Sequence, residues 1–203
     1  ENLRKHSRVI FNGNGYSAEW IAEAARRGLP NLPSMVSSVP SLTTDKAVQL
    51  FGKFGVFTRA ELESRSEIMY ETYTKVISIE ARTMLHMAGK HYIPAVVRNC
   101  TRLADSVCKV HTACPAAPTG VQETLLCQTS ELLTKAASAE HHLEGLVEQL
   151  GRMDNVHDMA VFCHDMIMPA MQDLRDPIDR LELIVDKDIW PVPTYGCLLY
   201  TSD

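Results

Sequence analysis

Apolar residues recur at intervals of three and four along residues 58–189, the spacing that places side chains on one face of an α-helix. A proline-containing break at residues 113–120 and Gly151 divide this pattern into three stretches. The positions that carry the pattern are Leu62, Met69, Tyr73, Val76, Met84, Met87, Val96, Val97, Leu103, Val107, Leu125, Leu132, Ala136, Ala139, Leu143, Leu146, Leu150, Met159, Phe162, Met166, Ala170, Leu174, Ile178, Leu181 and Val185. The pattern predicts three long helices, the last of which continues to Asp188.

Helix starts are marked by residues that can bond free backbone N–H groups. Thr58 with Glu61, and Thr119 with Gln122, each have the spacing of a capping box. Asp154 is placed to cap the third helix.

Pro94 and Pro169 lie inside the first and third predicted helices. Proline lacks an N–H group and its ring clashes with the preceding turn, so each predicts a kink. The residues around them, 93–96 and 168–171, match in class, but four matches do not establish a repeat and we interpret the likeness as chance. Because short connections reverse the chain, the three long helices are predicted to form an antiparallel bundle.

A short strand is predicted at residues 8–11, Arg-Val-Ile-Phe, because β-branched and aromatic residues favour strands. Residues 12–15, Asn-Gly-Asn-Gly, tolerate positive φ and predict a turn after it. The expected fold class is therefore mainly α, with this short strand and two short helices preceding the bundle.

The first short helix is predicted from the N-cap Ser17 to Gly28, and the second over about residues 45–54. Residues 29–41 lie between them and contain three prolines, so they are predicted to form a crossing loop.

Composition narrows the class of protein. The chain has 203 residues, 45% of them hydrophobic and 22% charged, with a net charge of −5, as in ordinary globular proteins. The charges are interspersed without a basic stripe, so nucleic acid is not an expected partner. The longest uncharged run, residues 29–44, contains prolines that exclude a spanning helix, so no membrane partner is expected.

Six cysteines without a Cys-x-x-Cys pair are interpreted as free thiols in a reducing, cytoplasmic setting. The sequence begins at Glu1, with neither an initiator Met nor a readable secretory signal, and we interpret it as a fragment.

Gly13 and Gly15 could form a phosphate-binding loop, but the longer glycine pattern and the Walker lysine are absent, which favours a plain turn. A di-iron site would need Glu-x-x-His motifs on two helices. None of the eight histidines has Glu three residues before it, and Asp154 with His157 comes nearest, so a di-iron centre is not expected.

A metal or acid–base site at His157 and His164 is conceivable, because they lie seven residues apart with Cys163 and Asp165 nearby. No ligand spacing matches a known site, so surface or interface histidines are the favoured interpretation.

His141 and His142 are adjacent on a helix and point about 100° apart, so they cannot share a metal. Glu140, Glu144 and Glu148 form an acidic row that either faces cations of a partner subunit or is a solvated face, the latter being favoured.

The last helix is rich in sulfur-containing side chains, which could form an adaptable binding groove, but core packing at helical spacing is favoured. These residues are Met153, Met159, Cys163, Met166, Met168 and Met171.

Four blocks in this order resemble the C-terminal portion of type III glutamine synthetases. They are Arg-Val-Ile-Phe-Asn-Gly-Asn-Gly-Tyr-Ser-x-Glu-Trp at residues 8–20, Arg-Gly-Leu-Pro-Asn-Leu at 27–32, Phe-Gly-Val-Phe-Thr at 54–58 with Glu61, Ser64 and Arg65, and Asp-Lys-Asp-x-Trp-Pro-x-Pro-Thr-Tyr-Gly at 186–196. The resemblance extends over nearly the whole chain.

The resemblance implies a parent enzyme that ligates ammonia to glutamate with ATP and Mg or Mn ions, assembled as a dodecamer of two hexameric rings. Its catalytic, cofactor-binding and metal-binding residues would lie upstream, so none is assigned in this chain. We expect residues 1–57 to continue from a catalytic domain, 58–189 to form the helical domain, and 190–203 to form an extended docking tail.

This region would complete the fold and contact identical subunits. A free-standing helical interaction module without enzymatic activity is the alternative.

Residues 190–196 and 29–42 carry apolar side chains without a periodic partner, so we expect them to dock on the catalytic domain or a neighbouring subunit. After Gly196 the acidic residue of the family pattern is replaced by Cys197. We therefore interpret residues 197–203 as non-native.

Overall fold

A computed structural model describes residues 1–193 of the chain, and that part is helical with no β-strand. Its α-helices are α1 (Asn2–Lys5), α2 (Ala18–Arg26), α3 (Met35–Ser38), α4 (Asp45–Lys53), α5 (Arg59–Met87), α6 (Ile93–Ala113), α7 (Gly120–Leu150), α8 (Val156–Phe162) and α9 (Met168–Glu182). Short 3₁₀ turns occupy Ser7–Val9 and Val39–Thr43, and π-helical segments occupy Ala88–Tyr92 and Cys163–Ile167. The mainly helical fold class is confirmed.

The chain divides into two compact units, Glu1–Met69 and a second that begins at Tyr70. The division falls within α5. We describe each unit separately.

The short strand predicted at residues 8–11 is wrong. Ser7–Val9 forms a 3₁₀ turn, and the Arg27 guanidinium donates hydrogen bonds to the carbonyl oxygens of Ile10, at 2.6 Å, and Arg8, at 3.2 Å. A strand needs a partner strand to bond its backbone, and the described residues contain none. An arginine side chain instead bonds carbonyls that a sheet would have used.

Both predicted short helices are confirmed. The Ser17 hydroxyl accepts a hydrogen bond from the Trp20 amide at 3.4 Å, and Gly28 ends α2 with φ of 69°. Thr44 caps α4 in the same way, and Gly55 follows it with φ of 64°. Positive φ is a conformation that glycine adopts without steric cost.

The loop predicted at residues 29–41 is only partly correct, because α3 and a 3₁₀ turn occupy its second half. The hydroxyl of Ser34 accepts from the Ser37 amide, and the hydroxyl of Ser37 accepts from the Ser34 amide, which together form a capping box. Val39 is 1% exposed, so this segment buries an apolar side chain within the chain.

The second unit is organised around α7, which packs against α6 on one side and α9 on another. The face of α7 that carries the predicted apolar spacing is buried, including Leu132, Ala136, Leu143 and Leu150. Side chains of α9 such as Leu174 and Leu181 join them in one hydrophobic core.

Pro94 and Pro169 each lie just after a π-helical segment. The Ile93 amide bonds the carbonyl of Ala88, and the Met168 amide bonds the carbonyl of Cys163, both five residues back. The wider turn makes room where a proline ring would otherwise clash with the preceding turn. Helical structure therefore continues through both prolines.

The predicted helix caps had mixed outcomes. Thr58 and Glu61 form the expected capping box, with hydrogen bonds of 2.7 Å and 3.3 Å. Thr119 does not cap α7, because its hydroxyl donates to Glu123 at 2.5 Å.

The residue that caps α8 is Asn155, one position after the predicted Asp154. Its side-chain oxygen accepts from the Asp158 amide at 3.0 Å. The third helical stretch ends at Glu182, six residues before the predicted end at Asp188.

Candidate functional site

The glycine-containing turn at residues 12–15 is held by local hydrogen bonds. The Tyr16 amide donates to the Asn14 side-chain oxygen at 3.0 Å, and the Ser17 hydroxyl donates to the Asn14 carbonyl at 2.9 Å. An added Cβ on Gly13 would lie 2.7 Å from the Phe11 ring, so glycine allows a close approach here. These contacts within residues 11–17 hold the turn in place.

Glu23 of α2 is the centre of a small charged cluster. It accepts hydrogen bonds from Arg26, at 2.7 Å, and Arg27, at 2.5 Å. These two side-chain bonds lower the pKa of Glu23 to about 2. Because Arg27 also holds the carbonyls of Arg8 and Ile10, the cluster ties the N-terminal segment to α2.

His157 and His164 each interact with the adjacent aspartate. Nδ1 of His157 lies 3.2 Å from Asp158, and its ring packs edge-on against Tyr70 with a centroid separation of 5.1 Å. Nδ1 of His164 lies 2.6 Å from Asp165. Both imidazoles are partly or largely exposed and have local partners.

Residues 1–193 contain no group of three or more His, Cys, Asp or Glu side chains placed to hold a metal ion. His141 lies 3.7 Å from Glu144, and His142 beside it is exposed.

Cys163, the thiol closest in sequence to His164, is fully buried. Burial raises its pKa to about 11, against a smaller lowering contribution from Thr74. Since the thiolate is the nucleophile and the metal ligand, this thiol is unreactive near neutral pH. The other described cysteines, Cys100, Cys108, Cys114 and Cys127, are also free.

The three glutamates of the acidic row on α7 have different surroundings. An added Cβ on Gly89 would lie 2.5 Å from Oε1 of Glu140, so this carboxylate lies over the first π segment. Burial first, and then the charge of Glu144, raises the pKa of Glu140, while His141 lowers it. Glu148 forms an exposed ion pair with Arg152 at 3.5 Å.

The sulfur-containing side chains of the last helical stretch divide into two groups. Cys163 is in the core, and Met153, Met159 and Met171 pack against it, as predicted. Met166 and Met168 are exposed, so core packing was wrong for these two residues.

The sequence did not predict a cleft of about 500 Å³ in the second unit. Its apolar lining includes Met84, Met87, Tyr92, Leu174, Ile178 and Trp190. Asp186, four residues before Trp190, forms an ion pair with Arg102 of α6 at 2.7 Å.

Trp190 was expected to dock outside the chain, and this expectation is corrected. The side chain is 7% exposed, belongs to the core of the second unit, and packs on Tyr92 with a centroid separation of 5.1 Å. The ring of Tyr92 gives it a partner that helical periodicity alone could not reveal. Residues 194–203, which make up most of the predicted docking tail and include the stretch 197–203 predicted to be non-native, lie outside the described residues.

No helix within residues 1–193 combines the length and apolar character needed to cross a membrane.

Comparisons with a family model and with individual proteins point to the same family. Residues 1–111 match the model of the glutamine synthetase C-terminal domain. The chain is 32% identical over 204 residues to a type-3 glutamine synthetase of Dictyostelium discoideum, covering 98% of this chain and 28% of that protein.

Two bacterial proteins named glutamine synthetase are also similar. The one from Butyrivibrio fibrisolvens is 33% identical over 99% of this chain and 29% of its own length. The one from Bacteroides fragilis (strain YCH46) is 28% identical over 100% of this chain and 28% of its own length. The chain therefore spans less than a third of the relatives it matches.

Proposed function

Because this chain belongs to the glutamine synthetase C-terminal domain family, we propose that it is the C-terminal region of an ATP-dependent glutamate–ammonia ligase. Its role there is to complete the fold and to support subunit assembly. The observation that carries the proposal is similarity along the whole chain to proteins more than three times its length.

Catalysis is assigned to the part of the polypeptide outside this chain. Activating a carboxylate with ATP requires cationic groups and metal ions held together around the phosphates. The described residues do not fit such a site, because they bring no three potential ligands together and Glu23 is already bonded by Arg26 and Arg27. ATP and Mg or Mn are thus cofactors of the proposed parent.

The proposed architecture of the helical domain is an antiparallel bundle over residues 58–189, preceded by residues 1–57 and followed by residues 190–203, of which Trp190 packs into the core. Packing of α7 against both α6 and α9 supports the bundle. The family resemblance supports a dodecamer of two hexameric rings in the cytoplasm, with the parent's catalytic domain and identical subunits as partners.

The first experiment compares three purified proteins: this chain, the full-length polypeptide, and a full-length polypeptide truncated before Glu1. We expect glutamine formation and Mg-dependent ATP turnover only in the full-length protein. The truncated protein should assemble poorly, as measured by native mass spectrometry.

Ligase activity in this chain alone, or full activity and assembly after truncation, would contradict the proposal. A natural start or a stop codon just upstream of Glu1 in the coding frame would instead support the free-standing helical module.

A further inference from the structure

From Tyr70 onward, α5 has one face in the core and an unusual opposite face. Tyr70, Ile77 and Ala81 are buried. On the other side, a row at steps of four, three and four residues consists only of β-branched side chains: Thr72, Val76, Ile79 and Thr83. We call these four residues the outer row.

No member of the outer row is charged and its two central members are aliphatic, where a solvated helix face would carry charges. Val76 is 47% exposed and Ile79 is 65% exposed. Tyr73 lies beside the row, and its hydroxyl donates to Sδ of Met168 at 3.0 Å. Met168 is itself exposed, so it extends this surface next to α5. An uncharged outer face with exposed aliphatic side chains, opposite a buried face, is typical of a helix that packs on both sides, so we expect this surface to be covered.

The charges along one edge of the outer row indicate what that cover is. Glu71, Lys75 and Arg82 follow one another along this edge, with the acid nearer the N-terminal end. Lys75 pairs with Glu71 at 3.1 Å, and both side chains are largely exposed. Among the described residues the Arg82 guanidinium bonds only the Ser78 hydroxyl, at 3.4 Å. Arg82 therefore has no carboxylate partner in this part of the chain.

We propose that the outer row is the contact with a second copy of this chain, in which two α5 helices pack antiparallel about a twofold axis beside Val76. The midpoint between Glu71 and Arg82 falls next to Val76, so this axis brings each Glu71 opposite Arg82 of the other copy. Thr72 of each copy then lies near Ile79 of the other, and the two Val76 side chains meet. An isologous contact of this kind uses one surface patch twice.

The antiparallel direction follows from the same charges. In a parallel pair related by a twofold axis along the helices, the charged edges of the two copies would lie on opposite sides of the interface, so Glu71 could not reach Arg82 of the other copy. In the antiparallel pair both charged edges lie on the same side of the interface, where complementary charges fix its register. In the antiparallel arrangement Lys75 lies opposite the uncharged Ser78.

This inference deepens the assembly role proposed above, because it names the surface by which subunits meet. Its test is made in the full-length polypeptide, with the exposed Cys108, Cys114 and Cys127 replaced by serine. A short bis-maleimide is applied to Val76→Cys and to Glu71→Cys, and the same background with Val76 intact measures unrelated cross-linking. We expect cross-linked dimers from Val76→Cys only, because the two thiols of a Glu71→Cys pair would be about 16 Å apart along the helix axes.

Charge exchange provides a second, independent measurement. Glu71→Arg and Arg82→Glu should each lower the yield of the Val76→Cys dimer several-fold, and the double variant should restore it. Lys75→Ala should change the yield little, since Lys75 has no charged counterpart across the axis.

The proposal is overturned if Val76→Cys reacts no more than its background, or if Glu71→Cys cross-links equally well. In either case, retained glutamine formation and assembly would show that another segment covers the outer row and would leave the proposed function intact. Absence of ligase activity in the unmodified full-length protein would instead contradict the proposed function.

Discussion

The π segments at residues 88–92 and 163–167 have the same relation to a proline and different surroundings. In each, the amide before the proline bonds a carbonyl five residues back. Aligned on the prolines, Ala88 corresponds to Cys163 and Ala95 to Ala170, and all four side chains are buried. Small side chains at equivalent places allow α7 to approach both segments.

The segments differ two residues before the proline. Ile167 is fully buried in the core, whereas Tyr92 is half-buried and covered by Trp190. They also differ at Gly89, over which Glu140 lies, and at the equivalent His164, which pairs with Asp165. The comparison indicates that proline fixes the local backbone, while the neighbours decide how the widened turn is stabilised.

The largest effect is expected at the cover of the first segment. Trp190→Ala should lower the free energy of unfolding by about 3–5 kcal/mol, because a buried aromatic ring is lost. Urea titration of this chain measures the effect, with Trp190→Phe as the control that keeps the ring contact with Tyr92. Unchanged stability in the alanine variant would show that Trp190 does not cover the first segment in solution.

At the equivalent place in the second segment, Ile167→Ala should cost about 2–5 kcal/mol, since the vacated volume lies in a packed core. Its neighbour Met166 is 45% exposed, and Met166→Ala should cost well under half as much. The same urea titration compares the two variants. Equal losses at both positions would be inconsistent with the burial difference.

A smaller effect is expected at Gly89. In a background in which Glu140 is replaced by alanine, Gly89→Ala should raise the free energy of unfolding by up to about 1 kcal/mol. With Glu140 present the gain should shrink, because the new Cβ must displace the carboxylate. A double-mutant cycle measures this coupling, and identical gains in both backgrounds would exclude the contact.

The smallest effect concerns pH. The folded protein raises the pKa of Glu140, mainly by burial, so the folded state holds this proton more tightly than the unfolded chain does. The contribution of Glu140 to the free energy of unfolding is therefore fully present below the ordinary pKa of a glutamate. It declines as pH rises through the raised pKa of the folded state.

The difference in the free energy of unfolding between wild type and Glu140→Gln should decline as pH rises from 4 to 7, because the titration of the other groups is common to both proteins. The effect should be modest, because the side chain is only partly buried. A slope of opposite sign would show that Glu140 gains a cationic partner on folding.

Helix existence and type could be predicted from the sequence, because apolar spacing, Ser17, Thr58 and the two positive-φ glycines act locally. The strand at residues 8–11 was wrong because strand propensity has no effect without a partner strand. Arg27, which lies at the end of α2, bonds those carbonyls instead.

The surroundings of Trp190 and of the outer row could not be predicted from spacing alone. Trp190 is outside any periodic segment, and its burial depends on Tyr92, which is distant in sequence. For Val76, the apolar spacing had indicated burial with the other positions of the first stretch, but the side chain is on the opposite face of α5. Periodicity shows that a face is apolar and does not show which neighbour covers it.

The buried thiol in the second π segment can be used to measure how often the core of the second unit opens. Cys163 is shielded and protonated near neutral pH, whereas Cys108, Cys114 and Cys127 are exposed. An alkylating reagent would therefore modify the exposed cysteines at once and Cys163 only during transient opening of the core. Alkylation of Cys163, distinguished from that of the half-buried Cys100 by peptide mass spectrometry, would report how often the helices around α7 separate.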